Sequence, residues 1–362
     1  MATHHILCVH GIGVHDNDWV RKKEDAEPHT FAELVEAKWQ KYPALKGDFS
    51  KKVKLHSIHY DDEINKIFQS WKQQAADLKK ALASSPALQG QFDWFTQIVD
   101  DAGAPKKQAD WRYTHLMDLL MVIGSPTLQD RLVARVARQI VERVEAAEED
   151  DDVSLIAHSM GCAMAHKALQ ALYNEGVETP QGRQTLRGDF RFVNVSMVAN
   201  TSYCLSRFKH EHYQGIVKPS AKVGGGCCTT WINVNHRVDP VGRFLPFDYR
   251  KNPDWLEPFV AAKGWHQDIA LSRISSKDIH SLTHYFRDPS FHIPFFELAF
   301  GVDFTDKQLA DALKEFEAET PVGKFKTLLS HLEAEKLDMT KAGDDYRRFF
   351  EALRDFFGLT KK

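Results

Sequence analysis

Two hydrophobic rhythms alternate along this chain. Short apolar runs rich in β-branched residues and closed off by turn residues predict strands at His5–Val9, Val53–Tyr60, Val153–Ala157, Phe190–Val198, Thr230–Asn235 and Asp268–Ile274. Other stretches follow helical spacing, most clearly Thr127–Ala147, where Leu128, Leu132, Val133, Val136, Ile140, Val141 and Val144 form one stripe. Strands and helices alternating in this way imply an α/β fold, a mostly parallel sheet of about six strands with helices on both faces. The Thr127–Ala147 helix is expected to pack on the sheet just ahead of the third strand.

Residues 1–300 read as one domain carrying a helical insertion at about 61–125. The insertion places Ile64, Ile67, Phe68 and Trp71 at helical spacing and then brings Phe92, Trp94, Phe95, Trp111 and Tyr113. Either a lid with an apolar underside or a helical subdomain with its own small core accounts for these residues. Residues 301–362 read as a C-terminal helical extension. One of its helices opens with a capping box from Thr305 to Gln308, and its last carries Tyr346, Phe349, Phe350, Leu353, Phe356 and Phe357 on one stripe. Such a tail docks on the core or on a second copy of the chain, making a homo-oligomer possible.

Composition narrows the partners. A formal net charge of -3 over 362 residues supplies no basic field for nucleic acid. No apolar run reaches the ~18 residues of a membrane-spanning helix. A signal peptide is not expected, because the first strand begins almost at the start of the sequence. The cysteines number 5 and are mostly scattered, which fits reduced thiols and a cytoplasmic location better than a disulfide scaffold.

The chemistry centres on Ala157-His158-Ser159-Met160-Gly161, between the third strand and a helical run. A serine between small residues at a strand-to-helix turn is how a hydroxyl is held up as a nucleophile, with the helix N–H groups aimed at the developing negative charge. His158 is expected to point away from the reaction centre. After the first strand, His10-Gly11-Ile12-Gly13 offers a glycine turn that borders the substrate and turns an amide, that of Ile12, toward its carbonyl. The Met160 amide is the second oxyanion donor. Asp239, just past the fifth strand, is the candidate acid. Two histidines follow the last strand; His280 in the loop is preferred as base, with His284 one turn into the next helix as the alternative.

Taken together, these motifs resemble the α/β-hydrolase superfamily, especially its lipase- and esterase-like members with an early His-Gly-X-Gly turn. The resemblance covers about the first 300 residues. It departs from the family at Ala157, where glycine is usual, and in the family's first strands, which are missing here. It implies a serine hydrolase cleaving a carboxylic ester or lipid through an acyl-enzyme, with Ser159 as nucleophile, Asp239 as acid, and His280 or His284 as base. No metal or organic cofactor is required by such chemistry. An acyltransferase, thioesterase or peptidase would use the same residues, and a non-catalytic binding protein on this fold is a third reading.

Weaker signals carry bland alternatives. Phe244, Phe247, Trp255, Phe259 and Trp265 line an acyl pocket or pin a loop to the core. His210-Glu211-His212 and the group His10, His15, Asp16 and Asp18 hold ligand types without the spacing of a known zinc or calcium site.

Overall fold

The computed structural model describes residues 2–11, 15, 17–23, 29–81, 122, 125–179, 182–205, 215–237, 239, 241, 247–274 and 278–319. Its centre is an open, all-parallel sheet of six strands: β1 His4–Val9, β2 Val53–Ile58, β3 Asp152–His158, β6 Phe192–Val198, β7 Cys228–His236 and β8 His266–Leu271. Their order across the sheet is β2-β1-β3-β6-β7-β8. A short antiparallel pair, β4 Val177–Thr179 and β5 Gly182–Gln184, stands apart from it.

Each predicted strand is present, with shifted ends. The second stops at Ile58 rather than Tyr60, because the Tyr60 ring turns back to the end of β1 and a helix starts at Asp61. The last runs from His266 to Leu271 instead of Asp268 to Ile274. It is the edge strand, half-exposed, so its apolar pattern is weak and its register comes from pairing with β7.

Alternation along the strands sends side chains to two cores. Leu7, Val9, Leu155, Ala157, Val195, Met197 and Trp231 face one cluster, while Ile6, Cys8, Ile156, Val198, Ile232 and Val234 face the other. The first core is closed by the predicted helix, observed at Pro126–Glu145, and by Met160–Tyr173. Ser125 caps the former by accepting from the Leu128 amide. Phe247 and Trp255 also pack here, with the Trp255 ring 5.4 Å from that of Trp231, so these two aromatics pin their loop to the core.

The opposite face is covered by helices Phe31–Lys41, Leu282–Arg287, Pro289–Phe300 and Asp306–Glu319. The first lies outside the predicted elements, although Thr30 and Glu33 form a full capping box at its start. Pro289–Phe300 is apolar on nearly every side and is accordingly buried; it ends at Gly301 in the left-handed conformation, φ 62°. The Thr305–Gln308 capping box is formed, and the helix it opens sends Ala312 into this same core and packs the partly buried Leu309 against it. The described part of the tail thus docks on the sheet's own helices. Residues 82–121 and 320–362, with the insertion's later aromatics and the Tyr346–Phe357 stripe, lie outside the described residues.

Among the described residues no helix is long and apolar enough to cross a membrane. Phe296 is fully buried between the rings of Phe286, Phe295 and Phe300. Phe296→Ala should therefore cost about 3–5 kcal/mol, read as a lowered midpoint in urea unfolding.

Candidate active site

The sheet order reverses direction between β1 and β3. The chain goes from β1 outward to β2, then returns to β3 and proceeds the other way through β6, β7 and β8. The C-terminal ends of β1 and β3 therefore mark a switch point, the place where open α/β sheets put their sites. His10 and Gly11 follow β1, and Ser159 follows β3.

Ser159 has φ 54° and ψ −126°, one of two non-glycine residues with positive φ among those described. A conformation of this kind costs on the order of 1–3 kcal/mol and has to be held by its surroundings. Here the Ser159 amide donates to the Val198 carbonyl at 2.9 Å, and Thr201 Oγ1 donates to the Ser159 carbonyl at 2.6 Å. Ser159 occupies the N-cap position of Met160–Tyr173 without capping it. Its hydroxyl points instead to His280, with Oγ 2.8 Å from Nε2. Met160 is the first helical residue, so its amide is among the opening N–H groups that have no acceptor inside the helix.

Glycines allow this closeness. A Cβ on Gly161 would strike the backbone carbonyls of Val9 and His10, so the helix could not start so near the end of β1. A Cβ on Gly11 would sit 2.8 Å from the Ser159 Cβ. Ala157, in the place where the resemblance has glycine, is fully buried in the first core.

On its other side the His280 ring meets Asp239, with Nδ1 2.8 Å from Oδ2. That contact assigns the imidazole proton to Nδ1 and leaves the Nε2 lone pair for the serine hydroxyl. Asp239 is fully buried and accepts two further hydrogen bonds, from Tyr285 Oη at 2.6 Å and from the Val241 amide at 2.9 Å. Burial alone would raise its pKa; the charge and N–H of His280, the phenol and the amide overcome that and hold it well below the usual carboxylate range. Burial pulls His280 down, yet the charges of Asp239 and Asp278 and the bond to Asp239 leave it above the ordinary imidazole value.

Of the two candidate bases, the structure brings His280 to Ser159. His284 is buried within Leu282–Arg287, its ring 5.2 Å from that of His236. His158 does not point away as expected. Its ring lies 4.8 Å from that of His280, and its Nε2–H donates to the His280 carbonyl at 2.6 Å. The His10 ring, by contrast, turns to the backbone of its own loop. It is buried on Tyr60, with Nδ1 donating to the Gly11 carbonyl at 2.6 Å and Nε2 accepting from the Tyr60 amide at 3.3 Å. The Tyr60 hydroxyl donates to the His10 and Gly11 carbonyls, which fixes the start of the turn from beneath. Ile12 and Gly13 lie outside the described residues.

Tyr285, His158, Tyr60 and Thr201 were not recognisable from the sequence as parts of this site. The spacing from His280 to Tyr285, which puts a loop base and a buried phenol on one short segment, is the nearest thing to a signal.

His10, His15 and Asp61 bring potential metal-ligand atoms within 4.8 Å of one another. Both His10 nitrogens are committed to backbone groups, so the set does not fit a metal without breaking the turn that His10 supports. His210–His212 lies outside the described residues.

No family model matches this sequence, and no curated protein matches it. Among solved structures, an uncharacterized protein from Pseudomonas aeruginosa is similar over 88% of this chain and 48% of that chain, at 12% identity and a TM-score of 0.30. The chain spans about half the length of that structure.

The three histidines at the site are set apart electrostatically. Burial, reinforced by neighbouring imidazoles, pushes His158 and His284 each down to about 3. Histidine NMR should therefore show His280 titrating above the ordinary ~6.5, while the other two stay neutral from pH 8 to pH 5.

Proposed function

We propose that this chain is a serine hydrolase of carboxylic esters, of the α/β-hydrolase type. The observation that carries the reading is the unbroken hydrogen-bonded line from Ser159 Oγ through the His280 ring to Asp239 Oδ2, with 2.8 Å at each contact. The strained serine backbone supports it, since the turn at φ 54° carries the hydroxyl to His280, and strain of this kind gathers at functional sites. The helix that begins at Met160 supports it too, by directing opening amides to where an oxyanion would form.

In this reading Ser159 attacks the ester carbonyl as His280 Nε2 takes the hydroxyl proton. Asp239, kept ionised, stabilises the resulting imidazolium and holds the ring in the tautomer that began the step. The oxyanion accepts from the Met160 amide and from the amide of Ile12. His280 returns its proton to the departing alcohol, leaving an acyl-enzyme. Water then enters and gives a proton to Nε2 as it attacks the acyl carbon; the adduct collapses to release the acid, and His280 returns that proton to Ser159 Oγ.

Both attacks, by Ser159 and by water, start from neutral His280. Because its pKa is raised above the ordinary value, the acid limb of kcat/KM should lie above pH ~6.5, with activity rising as pH increases through it.

The test is hydrolysis of p-nitrophenyl acyl esters of increasing chain length, with fluorophosphonate labelling in parallel. Ser159→Ala should lose at least ~10³-fold in kcat/KM and all labelling; equal activity in the two proteins overturns the assignment. Partition of the acyl group to added alcohol or amine in preference to water would move the reading to an acyltransferase. Gly11→Ala, which presses on Ser159 without touching the proton path, should lower kcat about 10- to 100-fold with KM little changed.

A further inference from the structure

Tyr285 stands where no part of the scheme above requires a residue. It is fully buried in Leu282–Arg287, one residue beyond His284 and on the segment that also carries His280. Its hydroxyl is 2.6 Å from Asp239 Oδ2, the same oxygen that receives His280 Nδ1–H. The phenolic oxygen in turn accepts from the His236 amide at 3.2 Å. The result is a directed chain: the His236 amide donates to Tyr285, and both Tyr285 and His280 donate to one carboxylate oxygen. The other oxygen, Oδ1, takes the Val241 amide.

We propose that Tyr285 is a positioning residue for the base, sharing Asp239 Oδ2 with His280 so that the carboxylate is fixed in orientation and its pull on the imidazolium is tempered. This inference rests on the hydrolase reading of the site.

Donors that share one carboxylate oxygen compete for its charge. A buried carboxylate with a single donor concentrates its charge on that donor and, in a low-dielectric site, stabilises the imidazolium strongly. The base would then rest protonated at neutral pH and could not accept the serine proton. A second donor at 2.6 Å on the same oxygen withdraws part of that charge while leaving the anion intact. Tyr285 suits the task because burial and the neighbouring carboxylate push its phenol far up, so it stays a donor at every working pH. The backbone amide behind it polarises the O–H further. The arrangement also fixes geometry, because phenol and base approach Asp239 from one short helix and the loop that leads into it.

Other ionisable groups surround this centre. Asp278 accepts from the His280 amide and bears on the ring. His158 reaches it from β3, His236 and His284 lie on the Tyr285 side with Arg287 behind His284, and the Cys162 thiol faces the phenol. His158 and His284 are held neutral, so among the described residues the charges that bear on His280 across neutral pH are those of Asp239 and Asp278.

Tyr285→Phe removes the hydroxyl and leaves the ring in place. The His280 imidazole pKa, followed by NMR with its resonance assigned through loss in His280→Asn, should rise by about 0.5 or more, and the acid limb of kcat/KM should move up with it. Site-specific 3,5-difluorotyrosine at position 285, a stronger donor, should move both to lower pH. An unchanged His280 pKa in the folded Phe variant overturns the proposal, as does any loss of rate without displacement of the limb. Should the Phe variant fail to fold, the fluorinated chain decides: no downward movement refutes the role. Absence of hydrolysis and labelling in the wild-type protein would sink the hydrolase reading instead, and the NMR titration would still measure what Tyr285 does to His280.

Discussion

The backbone contact between the end of β1 and the first turn of the helix that follows β3 is the constraint on which this site depends. Gly161 lies against the carbonyls of Val9 and His10 with no room for a side chain. Because the helix starts so close to the sheet, the residue before it has to turn through φ 54°, and that turn carries the Ser159 hydroxyl above the strand ends. The same closeness places Gly11 against Ser159 and brings the end of β1 to the serine. The strain is contained by ordinary bonds, from the Ser159 amide to Val198 and from Thr201 to the Ser159 carbonyl, both within the buried sheet edge.

A second layer is electrostatic. Asp239 is a fully buried anion, which is tolerable because donors surround it and one of them, His280, can become a cation. Nearby histidines do not compete for that cation. His158 is held neutral and serves as a donor to the His280 backbone, and His284 is held neutral in the packing around His236. Burial thus divides chemically identical side chains into one that titrates and two that do not. The two hydrophobic cores matter to this division, since they exclude water from the groups that must stay uncharged.

Parts of this arrangement could be read before any coordinates were known. The strands of the sheet are marked by local apolar patterning, and the Pro126–Glu145 helix by its stripe. The strand-to-helix turn at Ser159 stands out because small residues around a serine, between an apolar run and a helix, have few uses. The helix at Phe31–Lys41 was also written locally, in its Thr30 and Glu33 cap, yet it went unanticipated. Edge strand β8 was displaced because half-exposed positions carry little periodic signal. Tyr285 and Tyr60 resemble any other buried tyrosine in one dimension.

What the sequence determined by itself is whatever depends on neighbours along the chain: strand and helix patterns, caps, and the glycines and serine of a tight turn. It nominated Asp239, His280 and His284 by type and order, and preferred His280 for its loop position with His284 kept as the alternative. Tertiary structure chose, because a hydrogen bond is a matter of distances between atoms, and Ser159 and His280 are 121 positions apart. The same holds for the sharing of Asp239 Oδ2 and for the neutrality of His158, which follow from groups that converge only when β3, β7 and the Leu282–Arg287 helix pack together.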